Sequence, residues 1–216
     1  MRHITNEREN QMTKKYFSVL SMLVLALLMA AIAAGCAQKS PGDFTNEPDK
    51  SMAKGHESFA MGDINKAADY IHKAAAYVKE EADKVAKDAQ EGVKKAGDDL
   101  DKLGQDVKNG TVKSGDELKK TYAKVDHELA KAWYKTADEA KKSGKDASQS
   151  LEKAGEALEN AAKWSGTQLK EGERGAIAAI KKLGKGAEKG VKAGAKEVDK
   201  LFKDIGEGIE DLGRKL

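Results

Sequence analysis

The single thiol of this 216-residue chain, Cys36, closes an uncharged stretch from Tyr16 to Gln38, in the string Ala33-Ala34-Gly35-Cys36. A lone thiol has no partner for an intrachain disulfide, so the chemistry open to it is modification at sulfur. The three histidines beyond it, His56, His72 and His127, are the other residues of metal-ligating type. No two are four residues apart, the spacing that would set two imidazoles on one helical face, so no metal site is expected. No Ser-His-Asp order, phosphate loop or paired-carboxylate signature stands out, and neither a catalytic residue nor a cofactor is expected. The last chemically distinctive group is cationic. Nine basic residues between Arg174 and Lys203 face only three acidic ones. Within that segment Lys181, Lys182, Lys185, Lys189, Lys192 and Lys196 are candidate contacts for an anionic membrane surface. The plainer reading of the same lysines is the solvated side of an ordinary amphipathic helix.

Stepping along the chain, Lys14 and Lys15 precede an apolar run, Phe17 to Ala34, that ends in small residues. This is the layout of a secretory signal peptide over residues 1–35. Met12 is a more natural start for it than Met1. The run resembles a bacterial lipoprotein signal, whose lipobox reads Leu-Ala/Ser-Gly/Ala-Cys. Ala34, Gly35 and Cys36 match that pattern, whereas Ala33 stands where leucine is usual. The resemblance implies a diacylglyceryl group on the Cys36 sulfur, cleavage between Gly35 and Cys36, and acylation of the new amino terminus. Two or more acyl chains hold a protein stably to a bilayer, whereas one does so only marginally. By resemblance to enterobacterial sorting rules, Ala37 rather than Asp after the cysteine implies the outer membrane, facing the periplasm, over the inner one. The competing reading is an uncleaved transmembrane anchor, since about 20 apolar residues span a bilayer.

Removing residues 1–35 takes away four basic and two acidic residues, so the formal net charge of +3 overstates the basicity of what remains. A nearly neutral body is not the electrostatic footprint of a nucleic-acid-binding domain. Both prolines, Pro41 and Pro48, follow the cysteine closely, and residues 36–49 read as the lipidated cysteine and a polar linker. Residues 50–216 read as one helical bundle domain.

That body contains no proline, and its apolar residues recur at spacings of three and four. Val85, Ala89, Val93, Ala96, Leu100, Leu103 and Val107 form one stripe. Leu118, Tyr122, Val125, Leu129 and Trp133 form a second, continued by Ala147, Leu151, Ala154, Leu158 and Ala162. Val198, Phe202, Ile205, Ile209, Leu212 and Leu216 form a third. Gly62-Asp63 suggests a turn with Asp63 as N-cap, Asn109-Gly110 a helix end, and both Ser114-Gly115-Asp116-Glu117 and Ser165-Gly166-Thr167-Gln168 have capping-box spacing. The expected fold is all-α: a short helix near 50–61 and three long antiparallel amphipathic helices near 64–108, 115–164 and 167–214. Gly144, Gly155 and Gly166 are eleven apart, as are Gly104 and Gly115. This spacing suggests either weakened helices or close helix approach with a right-handed drift.

Two further resemblances are local or compositional. Gly62-Asp63-Ile64, Ala67, Tyr70 and Ala74 resemble the turn and second helix of a tetratricopeptide repeat and, similarly, the hairpins of YfdX-type secreted helical proteins. This covers only residues 56–75 and implies a helical hairpin. The Ala/Lys/Glu/Gly composition resembles that of late-embryogenesis desiccation-protection proteins. The expected function is a non-enzymatic helical envelope lipoprotein, a membrane-tethered structural or interaction module. Its expected partners are the membrane through Cys36 and an envelope protein or second copy, with no nucleic acid and no small-molecule substrate. The alternative is an amphipathic membrane-binding or stress-protective protein.

Overall fold

A computed structural model describes residues 44–187 and 195–216, all of it helix and connecting turns. Cys36, Gly35 and the transmembrane-or-signal question therefore lie outside the described residues. Among the described residues seven α-helices follow one another: α1 (Glu47–Ala60), α2 (Ile64–Ala82), α3 (Gln90–Lys108), α4 (Gly115–Lys142), α5 (Ser148–Ser165), α6 (Glu171–Ala187) and α7 (Ala195–Gly213). The all-α architecture of packed amphipathic helices is as the periodicity predicts. The first two of the three long helices are, however, each delivered as two shorter ones, and the third is described over 171–187 and 195–213. Among the described residues no helix is long and apolar enough to cross a membrane.

The turns have identifiable causes. Four glycines, Gly62, Gly110, Gly144 and Gly166, have φ between 68° and 79°. After each, the next residue's N–H bonds back to a carbonyl in the last helical turn: Asp63 to Ser58 at 2.9 Å, Thr111 to Asp106 at 2.9 Å, Lys145 to Ala140 at 2.8 Å and Thr167 to Ala162 at 3.0 Å. This is the Schellman stop, in which a left-handed residue closes the helix end. Gly144 thus divides the expected helix 115–164, and the regular spacing of Gly144 and Gly166 is the spacing of two helix ends rather than of a packing repeat. Gly166 also displaces the capping box expected at Ser165–Gln168: α5 stops there and α6 begins at Glu171. The other expected caps form. Asp63 accepts from Lys66 N–H at 3.3 Å, and Ser114 accepts from Glu117 N–H at 3.4 Å while the Glu117 carboxylate takes the Lys113 N–H at 3.3 Å.

The break between α2 and α3 has no glycine or proline. Here tertiary packing overrides helix propensity. Val85 and Ala86 are buried, and the Ala86 N–H, freed from the helix, donates to Thr136 Oγ1 of α4 at 2.7 Å. A single turn of 3-10 helix, Lys87–Ala89, then leads into α3.

All three predicted stripes face inward and join one apolar core. Alanine supplies much of it, and the large fully buried side chains include Tyr122, Met52, Ile71, Leu100, Leu118, Leu158 and Ile205. The packed body also starts earlier than the linker reading placed it. Asn46 caps α1 by accepting from the Asp49 N–H at 2.9 Å, Pro48 sits in the first turn where its missing N–H costs nothing, and Phe44, Pro48 and Asp49 are buried. The segment 44–49 belongs to the body because α1 must carry Asp49 into it.

Candidate functional site

The least ordinary place in the body lies where the first turn of α1 meets α4 and α5. Asp49 of α1 and Asp126 of α4 are both 0 % exposed. The Asp49 carboxylate is held from α5: Asn160 Nδ2–H donates to Oδ2 at 2.8 Å and Trp164 Nε1–H donates to Oδ1 at 3.0 Å. The Asp126 carboxyl lies within hydrogen-bonding reach of Asp49. Neither of its oxygens meets an N–H or O–H donor of any other described residue.

Aromatic rings gather on the indole that holds Asp49. Phe44 stacks on Trp164 with ring centroids 4.8 Å apart, and Tyr122 meets the same indole edge-on at 5.0 Å. His56 lies 6.2 Å from it. The Tyr122 hydroxyl is buried without a partner, close to the bare Cα of Gly55, where a Cβ would come within 3.2 Å of it.

Burial in this apolar setting dictates the electrostatics. Desolvation, then the neighbouring Asp49 charge, holds Asp126 well above the usual carboxylate range, opposed only by Lys163. Burial also raises the Tyr122 phenol and lowers the His56 imidazole, the latter helped by Lys119. Beside Asn160 an open cavity of about 300 Å³ is lined by Thr45, Glu156, Glu159, Asn160, Lys163 and Lys181. Burial, then Glu152, raises Glu156. Burial pushes Glu159 up as well, but its contacts with Lys181 and Lys163 outweigh that and leave it below the usual range.

Paired carboxyls perform acid–base catalysis only where a substrate reaches them. Asp49 and Asp126 are both 0 % exposed, out of reach of a substrate in solution. Sequence reasoning missed both residues. Asp49 was read as linker. Asp126 stands four after Tyr122 and three before Leu129, on the apolar stripe itself, and Asn160 likewise lies among Ala157, Ala161 and Trp164. A polar side chain on an apolar stripe was the available signal.

The residues singled out from the sequence are dispersed. His72 Nδ1–H donates to Asp101 at 2.8 Å, His127 Nε2–H donates to the Ile209 carbonyl at 2.8 Å, and His56 packs by Trp164. No group of three or more His, Cys, Asp or Glu suited to a metal occurs among the described residues. Each of the three rings lies against a glycine of another helix: a Cβ on Gly115, Gly104 or Gly213 would come within 2.9, 2.8 and 2.8 Å of His56, His72 and His127 respectively. Of the candidate surface lysines, Lys181 is engaged by Glu159 at 2.7 Å, while Lys182 and Lys196 are exposed. Lys189 and Lys192 lie outside the described residues, as does the Lys185 side chain.

A family model described as suprabasin, GxHH repeat, matches residues 29–216. The chain belongs to that family. Within this member of the suprabasin GxHH repeat family no Gly-x-His-His string occurs. Glycine and histidine are instead brought together in space, by helix packing. No curated protein and no solved structure matches the chain.

Proposed function

We propose that this protein is a non-enzymatic, lipid-anchored helical module of a bacterial cell envelope, tethered through Cys36 and serving a structural or interaction role. The observation that carries the reading is the string Ala33-Ala34-Gly35-Cys36 at the end of an uncharged apolar run. The packed body supports it: it begins at Phe44, so only a short segment separates the helices from the lipid-bearing residue. The partners on this reading are the bilayer through Cys36 and an envelope protein or second copy on the body. Ala37 favours the outer membrane, facing the periplasm.

Mass spectrometry of the protein from its native membrane tests the anchor. An amino-terminal Cys36 carrying a diacylglyceryl group and an amide-linked acyl chain is expected. A free Cys36 thiol in a chain that retains residues 17–35 would overturn the reading. The alternative, a membrane-binding or stress-protective amphipathic protein, predicts a body that gains helix only on anionic vesicles. The core around Tyr122, Leu100 and Leu158 favours full helicity and a cooperative melt without lipid, measured by circular dichroism.

A further inference from the structure

We propose that Asp49 and Asp126 share one proton, and that this proton pins α1 to α4 and α5, so that docking of the amino-terminal helix is a pH-sensitive latch. The geometry leaves little alternative. Two fully buried carboxyls from different helices lie within hydrogen-bonding reach, and like charges in a desolvated site cannot both ionise at close range. Asp49 already accepts from Trp164 and Asn160, and it sits in the first turn of α1, where the helix macrodipole favours negative charge. Asp49 is therefore the acceptor. Asp126, whose oxygens meet no other donor, is the acid whose O–H completes the pair. With that proton present, every polar atom of the pair except one Asp126 oxygen has a partner. Without it, two carboxylates face each other across the α1–α4 contact.

The surroundings do not supply a substitute charge. On α4 Tyr122 stands one turn before Asp126, and its burial holds it neutral; His127, next in the chain, is bonded to the Ile209 carbonyl of α7. From α5 come Lys163, which attracts the Asp126 charge, and Glu156, which repels that of Asp49. Lys163 is itself drawn to Glu159 at 3.2 Å. Lys181 of α6 is held by the same Glu159. α2 packs on α1 with Ala67 and Ile71 against Gly55, neither of them titratable. His56, on α1 itself, gains charge as pH falls and so acts in the opposite sense. Loss of the Asp126 proton is thus uncompensated, and α1 is the helix it frees. Because α1 is also the first of the described helices after Cys36, its release would lengthen whatever connects the packed body to that residue. The latch itself requires no lipid there.

Trp164 reports on the latch directly, since Phe44 and Asp49 of the α1 segment cover its indole. In the full chain in neutral detergent, with Trp133→Phe to leave one tryptophan, emission is followed from mildly acidic to alkaline pH. A reversible red shift with rising pH is expected, as α1 lifts off Trp164. Asp126→Asn, nearly isosteric and able to donate to Asp49, is expected to abolish the shift and keep emission blue throughout. Should that variant lose helicity, Asp49→Asn removes the same like-charge pair and carries the test. A flat profile in the parent, or an unchanged step in both variants, overturns the proposal. Restoration of blue emission at high pH by calcium also overturns it, because the carboxyls would then hold a metal ion. A change seen only at acidic pH and surviving Asp126→Asn belongs to His56 and counts against the latch.

Discussion

The α2–α3 hairpin and the α1–α4–α5 seam hold neighbouring parts of one core by opposite means. Between α2 and α3 nothing polar is buried. Ala67, Ala68, Ile71, Ala74, Ala75 and Val78 meet Val93, Ala96, Leu100, Leu103 and Val107, and the charges stay on the rim. At the seam Asp49, Asp126 and Asn160 are all buried. Burial of apolar surface is indifferent to pH and to partner geometry, whereas a buried carboxyl pair is stable only in one protonation state. The hairpin therefore supplies stability, and the seam makes part of that stability conditional.

The largest effect should come from the unconditional side. Leu100 is 0 % exposed, and Leu100→Ala is expected to destabilise the body by about 2–5 kcal/mol through lost transfer energy and a residual cavity. Urea melts at two pH values check this: the loss should be the same at both, because what is removed is apolar burial. A loss that varied with pH would mean that the hairpin and the seam are coupled.

Next comes the conditional side. Asp126 is held well above its ordinary value of 3.8. Below that value both folded and unfolded chains carry the proton, and the stability linked to Asp126 is fully present. Above it the unfolded chain has lost the proton while the folded one keeps it, so unfolding releases a proton. Stability then falls as pH rises, by about 1.4 kcal/mol per pH unit, until the pH passes the raised folded value. Asp101 acts in the opposite sense: its contacts with Lys79 and His72 hold it below the usual range, so its contribution disappears only as pH falls through that lowered value. Thermal melts of the wild type and of Asp126→Asn across neutral pH separate the two. The variant should lose the downward slope and be the more stable protein on the alkaline side.

What the sequence made legible follows the same division. Helical periodicity located the three stripes that begin at Val85, Leu118 and Val198, because burial needs only a repeating face, and capping chemistry located the ends at Asp63, Gly110 and Ser114. The break at 83–86 was invisible, since its cause is Thr136 of α4 accepting the Ala86 N–H, a contact between residues 50 apart in the chain. The Asp49–Asp126 pair was illegible for the same reason. Asp49 read as linker and Asp126 as a lone polar residue on an apolar stripe, and only the packing of α1 on α4 and α5 brings the two together away from water. The reading of Cys36 is of another kind, because the modification proposed for it depends on its immediate neighbours in the chain rather than on any fold.

Glycine offers a finer test, since glycines face both kinds of neighbour. A Cβ on Gly213 would lie 2.8 Å from the His127 ring, which is fixed by its hydrogen bond to the Ile209 carbonyl and has a side chain only 14 % exposed. Gly213→Ala should therefore cost about 1–3 kcal/mol by overpacking. A Cβ on Gly97, which is buried, would meet Lys79 Cγ at 2.5 Å and the Ala75 carbonyl oxygen at 3.3 Å; the lysine is 40 % exposed and can turn aside, whereas the carbonyl cannot. The gain in helix propensity, about 1 kcal/mol, offsets part of that cost, and Gly97→Ala should destabilise less than Gly213→Ala. Chemical denaturation of the two variants side by side checks the ordering. If Gly97→Ala proved the more damaging, the hairpin would depend on its rim as well as its core.

The rim itself should matter least. Lys79 reaches Asp98 at 2.6 Å and Asp101 at 2.7 Å, and Asp101 also takes His72. These contacts raise the Lys79 ammonium above its ordinary value, the Asp101 hydrogen bond first. Yet the lysine and both carboxylates remain substantially exposed, so solvent and salt screen most of that attraction. Lys79→Ala should change stability by less than about 1 kcal/mol at low salt, and the difference should shrink as salt is added. Equilibrium unfolding of both proteins at two salt concentrations measures it. A larger, salt-resistant loss would mean that the lysine stem contributes by packing over Gly97, and the contrast between an apolar hairpin and a charged seam would have to be redrawn around that side chain.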